Sequence, residues 1–245
     1  MILIAIGNTH TLLAESRDGK HFATLRLPTP PATAHAPDPG QLPAPWPEKL
    51  RQGPVFLGGV VPHAAQAWAQ ALGRWGIPVR EPDPAVFQRH VPHAYTPAAS
   101  LGFDRRCCLL ATALDYPHQD SIVIDAGTAI TIDLYAQGRF QGGRILPGMR
   151  MSLLALAQGT ALLPDLCPDG ETPLLGNDTA AGIRSGVQHM LASALQGAIT
   201  QYRQRAPQAQ IILTGGDAHR FLSALPSAQH LPQLLLRGFY LWAKG

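Results

Sequence analysis

The chain has 245 residues, 46% of them apolar and 14% charged, enough to bury the core of one large or two small domains and far from the composition of a disordered segment. Its net charge of +3 comes from scattered Lys and Arg, without the clustered stripe that a nucleic-acid groove requires. Cys107, Cys108 and Cys167 form no CxxC pair, no stretch reaches the ~18 apolar residues of a membrane span, and the opening apolar run breaks at Gly7-Asn8-Thr9, too early for a signal peptide. A cytoplasmic protein with reduced thiols and no membrane partner is expected.

In chain order, Met1 to Ile6 predicts a strand, Thr11 to Ser16 its hairpin partner, and His21 to Leu27 a third strand after the turn at Arg17-Asp18-Gly19-Lys20. Eight prolines from Pro28 to Pro47 forbid regular ladders and predict an extended connection, with one short helical turn near Trp46 to Leu50 and no assigned chemistry. Val55 to Pro62 predicts a buried strand carrying Gly58-Gly59, followed by a helix from His63 to Trp75 with Ala67, Ala71, Leu72 and Trp75 on one face. A short strand at Val79 and a loop come next. His90 and His93 in that loop have no acidic neighbour and read as solvated rather than as metal ligands. Leu101 to Arg106 then opens a helix in which Cys107 and Cys108 are core residues. Asp104, near the start of that helix, reads as a cap, a carboxylate favoured by the helix dipole.

The stretch Ser121 to Gly148 carries the densest signal. Ile122, Val123 and Ile124 predict a strand buried on both faces that delivers Asp125 to its tip, followed by Gly127, where the backbone can approach an anion, and by the hydroxyls of Thr128 and Thr131. The opening of the chain is a second version of it, Ile4 to Leu12 lying over Ile124 to Ile132. Two copies predict a duplicated domain offering two loops to one ligand. Beyond it, Met149 to Leu163 predicts a helix stopped by Pro164, and Gly176-Asn177-Asp178-Thr179 supplies cap candidates for a helix to Arg203 whose Ile183, Val187, Met190, Leu191, Leu195 and Ile199 recur at three and four. Gln210 to Leu213 predicts a strand leading into Thr214-Gly215-Gly216-Asp217, and Leu234 to Ala243 a final helix.

Gly7-Asn8-Thr9, the strand end at Gly58 to Pro62, Tyr95 with Gly102-Phe103-Asp104-Arg105, Asp125 to Thr131, Gly142-Gly143 with Pro147-Gly148, Thr160 to Pro164, Gly176 to Thr179 and Thr214-Gly215-Gly216 together resemble the type III pantothenate kinases. These belong with actin, the sugar kinases and the heat-shock chaperone ATPases. The resemblance implies an α/β fold of two RNase H-like (actin-like ATPase) domains with mixed sheets, residues 1–117 and 118–245, and an ATP cleft between them. It implies ATP-dependent phosphorylation of pantothenate to 4'-phosphopantothenate, the first step of coenzyme A biosynthesis, by a homodimer. Ile6, Gly7, Asn8, Thr9, His10, Thr11, Thr128, Gly215 and Gly216 would bind ATP, which arrives with Mg2+. Asp104 would take the proton of the pantothenate hydroxyl, and Tyr95, Gly102, Phe103, Asp104, Arg105 and Thr179 would line the substrate pocket, Arg105 holding the carboxylate. Asp125 would bind a monovalent cation, K+ or NH4+. One departure stands out: the aspartate usual before the first loop, which helps hold magnesium, is Ala5 here. The alternatives are a catalytically weak nucleotide-binding or regulatory homologue, or another small-molecule kinase of the same superfamily.

Overall fold

Ile2, Leu3, Ile4, Ala5 and Ile6 are all buried, the mark of a strand covered on both faces. They form β1 (Ile2–Ile6), the middle of a five-stranded sheet in the computed structural model, which describes residues 1–97 and 100–245. β1 pairs antiparallel with β2 (His10–Glu15) and β2 with β3 (Ala23–Pro28), the predicted meander. On its other side β1 pairs parallel with β4 (Val55–Gly59), and β4 with β5 (Val79–Arg80), so the order is β3-β2-β1-β4-β5. α1 (Trp46–Arg51) and α2 (Pro62–Arg74) cover one face, packing Trp46, Leu50, Trp68 and Leu72 onto Ile2, Ile4 and Ile6. The buried stripe of α2 runs through Ala64, Trp68, Ala71 and Leu72; Ala67, expected on it, lies at its margin and is only partly buried, as is Trp75, which ends the helix as its cap.

Two elements of this unit depart from the sequence reading. α3 (Pro84–His90) occupies the expected loop, with Pro84 in its first turn and Asp83 accepting the Ala85 N–H at 2.9 Å. The final helix, α7 (Leu234–Lys244), expected in the second domain, belongs to the first: the chain divides into Met1–Pro117 with Gln233–Gly245, and His118–Pro232. The reason is tertiary. α7 lays Phe239 and Trp242 against Phe103 at the head of α4 (Phe103–Asp115), with ring centroids 4.9 and 5.5 Å apart, and pairs Arg237 with Asp115 at 2.6 Å. Cys107 and Cys108 are buried inside α4, as expected.

In the second unit β6 (Ser121–Ala126) takes the place of β1. It is antiparallel to β7 (Ala129–Ala136), which pairs with β8 (Arg139–Pro147), and parallel to β9 (Gln210–Thr214), which pairs with the unpredicted β10 (Ala228–His230). The order β10-β9-β6-β7-β8 is that of the first sheet, strand for strand. α6 (Thr179–Arg203) buries Val187, Leu191, Leu195 and Ile199 on this sheet with Ile183 partly buried beside them, while Met190, expected on the same stripe, is 52% exposed because the buried stripe steps by four from Val187 to Leu191 and passes it by. α5 (Met149–Gly159) stops four residues before the expected Leu163, because Thr160 is extended and its hydroxyl donates back to the Leu156 carbonyl at 2.9 Å. No helix among the described residues is long and apolar enough to cross a membrane.

Candidate nucleotide and substrate sites

The first turn joins β1 to β2 over two residues, Asn8 and Thr9, and closes with the Gly7 N–H donating to the His10 carbonyl at 3.0 Å. Thr29, just beyond β3, grips it from the side: its N–H donates to the Thr9 carbonyl at 3.0 Å and its hydroxyl to the Gly7 carbonyl at 2.7 Å. The buried Thr11 hydroxyl lies 3.1 Å from that of Thr29. Nothing in the sequence reading marks Thr29, which falls among the prolines; only the β2–β3 register, pairing Thr9 with Thr29 one step beyond His10 and Pro28, would have found it. His10 accepts at Nδ1 from the Arg26 guanidinium, 2.9 Å away. Burial, and then the Arg26 charge, hold the His10 pKa below its ordinary value.

The head of α4 gathers the predicted substrate residues of this unit. Gly102 caps the helix without a side-chain bond, and Asp104, in the first turn, accepts the Arg105 N–H on Oδ1 at 2.7 Å. Its second oxygen makes no hydrogen bond among the described residues, so Asp104 is partly a cap and still has an acceptor to offer. Arg105 is only 5% exposed; its guanidinium donates to the Tyr95 hydroxyl at 3.3 Å and lies 5.5 Å from the Tyr95 ring centroid. Tyr95, Gly102, Phe103, Asp104 and Arg105 are thus brought together. Beside them a cavity of about 460 Å³ is lined by Gly58, Gly59, Leu101, Gly102, Phe103 and Trp242 among others. Trp242 lies outside the predicted set, because only tertiary packing carries α7 to this place.

In the second unit the equivalent turn is one residue tighter, the Gly127 N–H donating to the Ala129 carbonyl at 3.1 Å around Thr128 alone. The overlay of the two copies therefore slips after the glycine. Ile132 pairs with Ile124 as Leu13, not Leu12, pairs with Ile4, and Thr131 stands opposite Asp125 as Leu12 stands opposite Ala5. A slip of one residue changes the face on which each side chain lies. The Gly148 N–H donates to the Thr128 carbonyl at 3.0 Å, and a Cβ at Gly148 would sit 2.3 Å from the Gly127 carbonyl oxygen. Asp125 pairs with Thr214, and Gly215, at φ +96°, comes so close that a Cβ there would lie 2.4 Å from the Asp125 carboxylate. Asp125, Thr128, Gly215 and Gly216 therefore share one edge of this sheet. Thr179, exposed at the head of α6, makes no hydrogen bond to that edge among the described residues.

No group of three or more His, Cys, Asp or Glu that could hold a metal ion occurs among the described residues. At the edge of the second sheet the oxygen-bearing residues are Asp125, Thr131 opposite it in the β6–β7 register, and Thr128 in the turn. Such donors suit a cation that keeps most of its water or shares phosphate oxygens, and exclude a soft-metal site. Ala5, 5% exposed, offers nothing comparable in the first unit.

The type III pantothenate kinase family profile matches residues 1–201 of the chain. A type III pantothenate kinase of Synechococcus sp. strain JA-2-3B'a(2-13) is 36% identical over 208 residues, 82% of this chain and 76% of the relative. Its counterpart in Alkalilimnicola ehrlichii is 35% identical over 205 residues, 82% of each chain. Among solved structures, a Baf family protein of Campylobacter jejuni superposes with a TM-score of 0.62 at 19% identity, covering 100% of this chain and 98% of the other. A ROK family glucokinase of Streptomyces griseus, in complex with glucose and AMPPNP, gives 0.53 at 14%, covering 100% and 99%. These structural matches speak to fold alone: two domains of the actin-like ATPase class.

Proposed function

The chain belongs to the type III pantothenate kinases, and on that premise we propose that it transfers the terminal phosphate of ATP to the hydroxyl of pantothenate, giving 4'-phosphopantothenate, the first step of coenzyme A biosynthesis. The observation that carries the reading is the extent of the family match, residues 1–201, which takes in every candidate site residue except Gly215 and Gly216.

Phosphoryl transfer asks a protein for positioning and for charge neutralisation more than for covalent chemistry. Mg2+, bound with ATP, neutralises charge on the phosphates. Asp104 accepts the hydroxyl proton: the Arg105 N–H fixes one carboxylate oxygen and leaves the other as acceptor. Arg105, packed on Tyr95, is the partner for the pantothenate carboxylate, whose two oxygens match its planar fork. Tyr95, Gly102, Phe103 and Thr179 complete the substrate set. Ile6, Gly7, Asn8, Thr9, His10 and Thr11 bind phosphate through the first turn; Thr128, Gly215 and Gly216 are the nucleotide residues of the second unit, and Asp125 holds K+ or NH4+. A homodimer is supported by the apolar surface of the second unit, where Ile145, Leu162, Leu174 and Leu175 are exposed.

The test is phosphopantothenate formation from pantothenate and ATP, with and without K+. Asp104→Asn is expected to lower kcat by about 10²- to 10⁴-fold while ATP binding persists; unchanged turnover would remove Asp104 as the base. A second reading, a weak nucleotide-binding homologue, is favoured by one observation, Ala5 in place of a metal-holding aspartate. No product under any cation would select it.

A further inference from the structure

The first turn is held by Thr29, the residue just beyond β3, to which the sequence assigns no chemistry. Thr29 has one hydroxyl hydrogen, and it goes to the Gly7 carbonyl. The short contact between the Thr29 and Thr11 hydroxyls must therefore have Thr11 as donor, which makes a relay from buried Thr11 through Thr29 to Gly7. The Thr29 N–H ties the Thr9 carbonyl as well, so the carbonyls on both sides of Asn8 are anchored to one residue. A carbonyl and the N–H that follows it point in opposite directions on a trans peptide plane, so fixing the Gly7 carbonyl turns the Asn8 N–H away from the clamp. Asn8 itself is exposed. Three residues earlier, on β3, Arg26 reaches His10; a guanidinium can only donate, so Nδ1 of His10 is the acceptor and Nε2 carries the hydrogen.

We propose that Thr29 is a positioning residue of the nucleotide site: it locks the Gly7-Asn8-Thr9 turn so that the Asn8 N–H is aimed at a phosphate oxygen before ATP arrives. The inference rests on the reading of this turn as a phosphate turn and adds the residue that follows β3 to its machinery. A donor aimed in advance loses less ordering entropy on binding than one that must be fixed by the ligand. The second turn has no counterpart of the hydroxyl, since Gly148 occupies the equivalent place and supplies only its N–H.

The experiment measures ATP·Mg2+ affinity by isothermal titration and turnover by phosphopantothenate formation, for the parent and for Thr29→Val, Thr29→Ala and Thr29→Ser. Loss of the hydroxyl in the first two should weaken ATP binding and raise KM for ATP about tenfold, leave KM for pantothenate within about twofold, and be reversed to within about twofold by serine. Unchanged ATP affinity in Thr29→Ala with a native circular dichroism spectrum overturns the proposal, as does an equal rise in both KM values or a failure of serine to rescue. If Thr29→Val does not fold, Thr29→Ala and Thr29→Ser decide. A parent that binds ATP but makes no phosphopantothenate sinks the kinase reading while the affinity series still judges the clamp; a parent that binds no ATP overturns both.

Discussion

The two turns answer one problem, how to hold a hairpin tip still, in two ways. Each has a threonine carbonyl, Thr9 or Thr128, fixed at 3.0 Å by the N–H of the residue one step beyond the third strand, Thr29 or Gly148. In the first unit that residue adds a side-chain hydroxyl and the chain runs on into proline-rich connection; in the second it has no side chain and begins α5 at once. The tighter turn keeps a carboxylate, Asp125, and the looser one has lost it at Ala5. The copies thus differ in what closes the tip: a side-chain hydroxyl in one, a bare backbone N–H beside a carboxylate-bearing strand in the other.

Four substitutions break or sharpen that contrast. Gly148→Ala puts a methyl group into two backbone carbonyls, and overpacking against backbone should cost about 3 kcal/mol in urea unfolding, against about 1 kcal/mol for Thr29→Ala at the equivalent place. Equal costs would mean that the tips are closed alike. Asp125→Ala should lower kcat/KM about 10²-fold and abolish stimulation by K+; a retained K+ response would move the cation elsewhere. Ala5→Asp restores the carboxylate in the first copy, at a cost of about 1–3 kcal/mol for its burial, and should steepen the dependence of turnover on Mg2+. An unaltered metal titration would dismiss that position.

The smallest effect concerns His10. Its folded pKa is depressed below 6.5, so the unfolded chain takes up the proton first, and stability declines as pH falls through 6.5 and is untouched above it. Arg26→Gln removes the charge but not the burial. The His10 ring should then titrate closer to 6.5, still below it, as read by proton NMR, and a shift the other way would show that Arg26 does not face the ring.

What the sequence displayed was periodic or punctuated. The apolar runs of β1 and β6, the meander and the three-and-four spacing of α6 were legible because burial imposes them on every turn or pleat. α3 and β10, at seven and three residues, are too short to show a period. The one-residue difference between the turns was hidden because both copies offer glycine, hydroxyl and strand in the same order; only pairing reveals that Leu13, not Leu12, matches Ile132. Of the candidate site, the head of α4 could be read off its letters. Thr29 and Trp242 could not, since the first depends on register and the second on a helix returning from beyond the other unit.

That returning helix has a consequence for biosynthesis. α7 carries Phe239 and Trp242 to Phe103 and ties Arg237 to Asp115, yet 115 residues of the second unit must leave the ribosome before it does. The unit translated first is therefore completed after the one translated second, and until then the aromatic face at the start of α4 stays uncovered, a stage at which a chaperone or a stray apolar chain can reach it.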